Sequence, residues 1–212
     1  MAYEEIKDIY CVVKSRIVKR LNEFAHLWNC SGEEEIFYEL VFCLLTPQSK
    51  AFSADKAVKT LLEKKLIFSD DANQIADILK IVRFKNNKAR YIVEAKYKFM
   101  ENNKIFIKKH IDTDNIFQTR EWFWKNIKGI GLKEASHFLR NIGFGENIAI
   151  LDRHILRNLE KYKFINEIPK TITKDKYYAI ESRMKDFSSQ INIPLSHLDF
   201  VLWYKEAGDI IK

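Results

Sequence analysis

The sequence is poor in the residues that punctuate a chain, with 6 Gly and 3 Pro in 212 positions, too few for a protein built from many short strands. It has three cysteines, Cys11, Cys30 and Cys43, an odd number with no C-x-x-C spacing for zinc or redox work. Their places on or beside apolar stretches predict buried free thiols in a reducing compartment. The apolar run LVFCLL is far too short to cross a bilayer. The opening MAYEEIKDIY lacks the basic, apolar and small-residue order of a secretory signal. Together these absences predict an intracellular protein of the cytoplasm or nucleoid, with no membrane partner. No low-complexity tract, long linker or solenoid period divides the chain, so one folded body is expected.

What is present fits a helical protein. Hydrophobic residues make up 47% of the chain, enough for a core that needs no partner chain, so a monomer is expected. The 36 basic residues exceed the 29 acidic ones for a net charge of +7, which permits a polyanionic partner without requiring one. Apolar residues recur at three and four positions almost throughout, which predicts an all-α fold. Helix starts are read at Ser31 with Glu34 as a capping box, at Ser69 before DDANQIADILKIV, and at Ser196 before HLDFVLWYKEA, which ends at Gly208. Trp122, Phe123, Trp124 and Phe200 fall at helical spacing and are expected in the core.

The segment IKGIGLKEASHFLRNIGFGENIAILDRH departs from this pattern. Gly129 and Gly131 interrupt one helix, QTREWFWKNI, and the next begins at once at Leu132. Glycine suits a backbone that takes positive φ or closely approaches a ligand, and the N–H groups at the second helix's start can bind a phosphate. An αα-corner without a ligand would look alike. Lys133 sits in the first turn of that helix, where the dipole disfavours an ammonium and so favours the free amine. That makes Lys133 the candidate nucleophile. Asp152, in AILDRH, reads as an N-cap and equally as a carboxylate that stabilises developing positive charge; the two roles are compatible. His137 lies one turn after Lys133 and reads first as a packed or polar histidine rather than a catalytic group.

With K-G-I-G-L-K followed by L-D-R-H, the chain resembles the helix-hairpin-helix DNA glycosylase superfamily, in which a glycine-rich hairpin carries a catalytic lysine and a following aspartate completes the site. Upstream, LLTPQSKAFSADKAV and VRFKNNKARYI are similar to two DNA-contacting segments of the endonuclease III type. The resemblance implies that Gln48 enters the space left by a flipped nucleotide and that Phe84 wedges against the opposite base. The basic loop suits that use, with Lys85, Lys88 and Arg90 near phosphate. No cysteine follows Cys43, so the C-terminal iron-sulfur ligands of endonuclease III are absent. The length and the ending SHLDFVLWYKEAGDIIK look instead like the archaeal-type 8-oxoguanine glycosylases. That branch implies a base pocket with Trp203 as a stacking face and the terminal carboxylate of Lys212 as acceptor.

These expectations amount to an enzyme that needs no metal and no organic cofactor, removes 8-oxoguanine from double-stranded DNA and cleaves the strand by β-elimination. The alternatives are a glycosylase for another oxidised base and a helix-hairpin-helix DNA-binding module without chemistry. The implied fold has two lobes with the active-site cleft between them. One lobe is expected over 31–132, and the other over 1–30 plus 133–212.

Overall fold

The computed structural model describes residues 3–208 and Ile210. Lys212, expected as a base-pocket group, lies outside the described residues. The order of elements is α1 (Glu4–Cys30), α2 (Glu33–Leu45), α3 (Ala51–Glu63), α4 (Ala72–Ile78), α5 (Lys85–Phe99), β1 (Met100–Glu101), β2 (Lys104–Ile105), α6 (Ile116–Asn126), α7 (Leu132–Asn141), α8 (Arg153–Lys161), α9 (Lys174–Ile191) and α10 (Leu195–Ala207). The expected all-α character holds, apart from the small antiparallel pair in which Met100 faces Ile105. Among the described residues no helix is long and apolar enough to cross a membrane.

The apolar periodicity resolves into two cores. One is built from α2, α3, α4, α5 and the buried side of α6, with Phe37, Phe42, Phe99 and Phe123 at its centre. The other gathers Ile6, Val13, Ile17 and Phe24 of α1 with Leu156, Leu159, Met184, Phe187, Leu198 and Phe200 of α8, α9 and α10. A lobe boundary was expected just before Lys133, but α7 does not fall to one side. Leu132 packs in the second core, while Ala135, Phe138, Leu139 and Ile142 pack in the first. α1 also serves both, since its last turn brings Leu27 and Trp28 against the first core. The expected core aromatics divide in the same way. Phe123 and Phe200 are buried, Trp122 packs on the first core and Trp124 on the second.

Three helix starts differ from the sequence reading. Ser31 ends α1, its N–H bonding Leu27 O, so Gly32 becomes the N-cap of α2 and Glu35 rather than Glu34 reaches back to it, at 2.9 Å. α4 is capped by Asp71, whose carboxylate accepts from Asn73 N at 2.8 Å, while Ser69 Oγ accepts from Asp71 N. α10 starts at Leu195 with Pro194 as its N-cap, a residue with no N–H to be left unpaired at the helix start. The cysteines also need correction. Cys43 is buried, but Cys11 and Cys30 are exposed, since the buried face of α1 runs through Ile6, Val13 and Ile17, a helical stripe that leaves Cys11 outside.

Candidate active site

The hairpin expected at Gly129 and Gly131 joins α6 to α7. Gly129 takes φ +88, and a Cβ there would lie 2.4 Å from Cδ2 of the Tyr91 ring; only glycine allows this approach. Gly131 is the N-cap of α7 in extended conformation. Its N–H was expected to face a phosphate, but it donates to Glu134 Oε2 at 3.2 Å. The acid at the third helical position satisfies one of the orphan donors, and Glu134 also offsets the unfavourable dipole on Lys133. The Lys133 ammonium stands 3.7 Å from Glu134 Oε1 and keeps 24% side-chain exposure, so its tip remains accessible.

α7 aims Lys133 into a cavity of about 410 Å³ whose walls come from both cores. Asp152 lines the same cavity, as do Gln48, Trp203 and His137. Asp152 is the N-cap of α8, accepting from Ile155 N at 2.8 Å, so the capping role read from the sequence and the position on the cavity coexist. Trp203 is partly buried and meets His154 edge-on, ring centroids 5.0 Å apart. His137 is buried and edge-on to Phe42 at 5.6 Å. Among the described residues no group of three His, Cys, Asp or Glu side chains is placed to hold a metal ion.

The strap that leads into Asp152 is fixed from below. Arg120 of α6, wholly buried, forms a two-pronged pair with Glu181 of α9, at 2.6 and 2.8 Å. Glu181 Oε1 also accepts from Ala149 N at 2.7 Å. Tyr177 of α9 donates to Ala149 O at 2.7 Å, and burial pushes its phenol well above the usual range. Arg120 further donates to Ser136 Oγ at 3.1 Å, one turn along α7 from Lys133. One buried network thus touches both the helix that carries the amine and the strap that carries the carboxylate. Its desolvation is offset because the guanidinium and carboxylate are paired with two-pronged geometry.

A second buried pair forms part of the cavity wall. Arg140 Nη1 donates to Asp199 Oδ2 at 2.9 Å, and both residues line the cavity. Burial pushes the Asp199 carboxyl up to about 6, against the pull of Arg140. Burial in turn draws the Arg140 guanidinium below its ordinary value. Sequence reading missed this pair, and it missed Arg83 and Arg153, which also line the cavity. Arg83 and Arg153 stand in segments already singled out, beside Phe84 and Asp152, and adjacency to a marked residue was the available signal. Arg140 and Asp199 gave no local signal, because their pairing joins α7 to α10.

Gln48 and Phe84, expected in the DNA, are both exposed and both in left-handed backbone, with φ 54 and 58. A non-glycine residue pays about 1–2 kcal/mol there, and such strain persists only where the surroundings impose it. Phe84 is 53% exposed, with the Arg83 guanidinium 5.6 Å from its ring centroid; it is not a core residue. Lys85 is partly exposed and Arg90 exposed, with Arg90 donating to Asn87. Lys88 requires correction as a phosphate contact. It is 3% exposed, and its ammonium turns inward to Leu45 O, Pro47 O and Ser49 Oγ at 2.7, 2.8 and 3.0 Å. Burial lowers its pKa to about 8. All three donors of the ammonium are used within the protein, leaving none for a phosphate.

A family model described as 8-oxoguanine DNA glycosylase matches residues 17–193. The chain belongs to the 8-oxoguanine DNA glycosylase family. It is 49% identical over 211 residues to the 8-oxoguanine DNA glycosylase/AP lyase of Fusobacterium nucleatum, covering 99% of this chain and 97% of that one. Among solved structures it is similar to the Methanocaldococcus jannaschii 8-oxoguanine glycosylase/lyase in complex with a 15mer DNA containing 8-oxoguanine. That match has a TM-score of 0.88 and 36% identity, over 99% of this chain and 98% of that one. It is also similar to the 8-oxoguanine DNA glycosylase of Thermotoga maritima, with a TM-score of 0.87 and 33% identity over 99% and 97% of the two chains. Family membership carries the helix-hairpin-helix glycosylase fold, with two lobes and a cleft between them, as expected from the sequence.

Proposed function

We propose that this protein removes 8-oxoguanine from duplex DNA and then cleaves the strand at the abasic site, with Lys133 as nucleophile and Asp152 as the carboxylate that stabilises charge on the sugar. The observation that carries this reading is the meeting of Lys133 and Asp152 on one cavity, behind a glycine hairpin, in a chain of this family. The unprotonated Lys133 amine attacks C1′ of the flipped nucleotide, and the bond to the base breaks with its electron pair leaving on N9, which takes up a proton. As that bond lengthens, positive charge grows on the sugar, and Asp152 stabilises it electrostatically. Loss of a proton from nitrogen and opening of the sugar ring leave an imine between Lys133 and C1′. The imine withdraws electrons, so a base can remove the 2′ proton and the 3′ phosphate departs by β-elimination.

In this reading Trp203 stacks on the extruded base, Gln48 fills the gap in the stack and Phe84 separates the neighbouring step. Lys85 and Arg90 hold phosphate, as does the hairpin backbone at Gly129. The protein works as a monomer in the compartment that holds DNA. The test is borohydride trapping on duplexes with 8-oxoguanine, with an abasic site or with normal bases only, using wild type beside Lys133→Gln. A covalent adduct on the 8-oxoguanine duplex that disappears in the variant is expected. Trapping at the abasic site alone would overturn the choice of lesion, and thymine glycol would be the next substrate. No adduct on any duplex, with binding intact, would leave a DNA-binding module.

A further inference from the structure

Gln48 and Phe84 lie 36 residues apart in sequence, on different elements, each in backbone that its side chain disfavours. The atoms around them are shared. The Lys88 ammonium donates to Pro47 O at 2.8 Å and to Ser49 Oγ at 3.0 Å, the two residues flanking Gln48. Its main-chain N–H donates to Phe84 O at 3.0 Å. Ser49 Oγ, which accepts from that ammonium, also accepts from Arg83 N at 3.0 Å, immediately before Phe84. One lysine and one hydroxyl therefore bond to the chain on both sides of Gln48 and on both sides of Phe84.

We propose that Lys88 and Ser49 are positioning residues for nucleotide extrusion, forming a clamp that holds the Gln48 and Phe84 loops at a fixed separation. This rests on the proposed insertion of those two side chains into DNA. Two groups that must enter one base stack together need a set spacing, and small errors of placement are costly in rate. The ammonium is buried against three neutral oxygens rather than a carboxylate. The bond to Leu45 O satisfies the last carbonyl of α2, while those to Pro47 O and Ser49 Oγ reach past the helix to the loop that carries Gln48. Three donors on one atom can hold three acceptors at fixed distances.

The clamp separates two steps. Extruding a paired 8-oxoguanine requires unstacking, whereas a preformed abasic site has no base to extrude, so its cleavage depends less on the inserted residues. Ser49→Ala removes only the hydroxyl link and leaves the core intact; Lys88→Met removes the ammonium while keeping the stem. Single-turnover release of 8-oxoguanine from a duplex is expected to slow on the order of tenfold in Ser49→Ala, the fold-change of one hydrogen bond, and further in Lys88→Met. Strand cleavage at a preformed abasic site is expected to change much less. The fluorescence rise of 2-aminopurine opposite or beside the lesion, which follows unstacking, slows with excision. Equal loss on both substrates, or no loss in Ser49→Ala, overturns the clamp, provided Phe84→Ala and Gln48→Ala slow excision. If those two leave excision unchanged, the insertion reading falls and the clamp falls with it.

Discussion

Replacing Gly129 by alanine probes the hairpin at its tightest point. At φ +88 an L side chain crowds the neighbouring carbonyl, at about 1–2 kcal/mol. The new Cβ would also lie 2.4 Å from Cδ2 and 2.9 Å from Cε2 of Tyr91, and moving that ring out of its packing costs about 1–3 kcal/mol. The expected loss is therefore about 2–5 kcal/mol, a large part of the stability of an ordinary domain. Urea unfolding of Gly129→Ala, Tyr91→Ala and the double variant separates the two contributions. With the ring gone, alanine at 129 bears only the backbone cost, so the two changes should fail to add by about 1–3 kcal/mol. If the hairpin backbone binds phosphate as proposed, DNA affinity should drop in Gly129→Ala and recover in part in the double variant. Additive free energies would refute the close approach as the reason for this glycine.

Asp199 gives a pH test. Its folded pKa of about 6 stands above the ordinary 3.8, so between these values the folded chain holds a proton that the unfolded chain has released. Stability relative to Asp199→Asn should then fall as pH rises through that window, by at most about 3 kcal/mol; a flat difference in melting across the window would dismiss the shift. Binding of duplex DNA should weaken with salt, and removing Lys85 or Arg90 should lower the slope of log affinity against log salt by about one each. Lys88→Met should leave that slope unchanged, and a loss equal to that of Lys85 would show that Lys88 reaches phosphate after all. Glu181→Gln should destabilise by about 3–5 kcal/mol, since it leaves a buried Arg120 short of its counter-charge. Single-turnover excision should also slow, because the Ala149 N–H loses part of its hold; unchanged excision in folded variant would detach the network from Asp152.

The parts of this molecule that could be read from sequence are those set by neighbours along the chain. The glycine hairpin, the placement of Lys133 one step into a helix and the capping position of Asp152 each follow from a few consecutive residues, and the amphipathic periods supply the helices around them. What escaped is set by partners far away. Lys88 looked like a phosphate contact because it sits in a basic loop. Its inward turn depends on carbonyls 41 and 43 residues upstream. The Arg140–Asp199 and Arg120–Glu181 pairs span 59 and 61 residues, and nothing local distinguishes these charges from solvated ones. Cap positions slipped by one or two residues where two residues competed for the same role, as at Ser31 and Gly32.

The helix α1 runs for 27 residues, with most of its buried face in one core and its final turn against the other. At 1.5 Å per residue it is a strut about 40 Å long. It is straddled by the two bodies that flank the cleft. A hinge that swung those bodies apart would have to bend this strut near Phe24 or pull Trp28 from its seat. α1 is accordingly a brace between the two cores, and it should resist any motion that widens the gap between them.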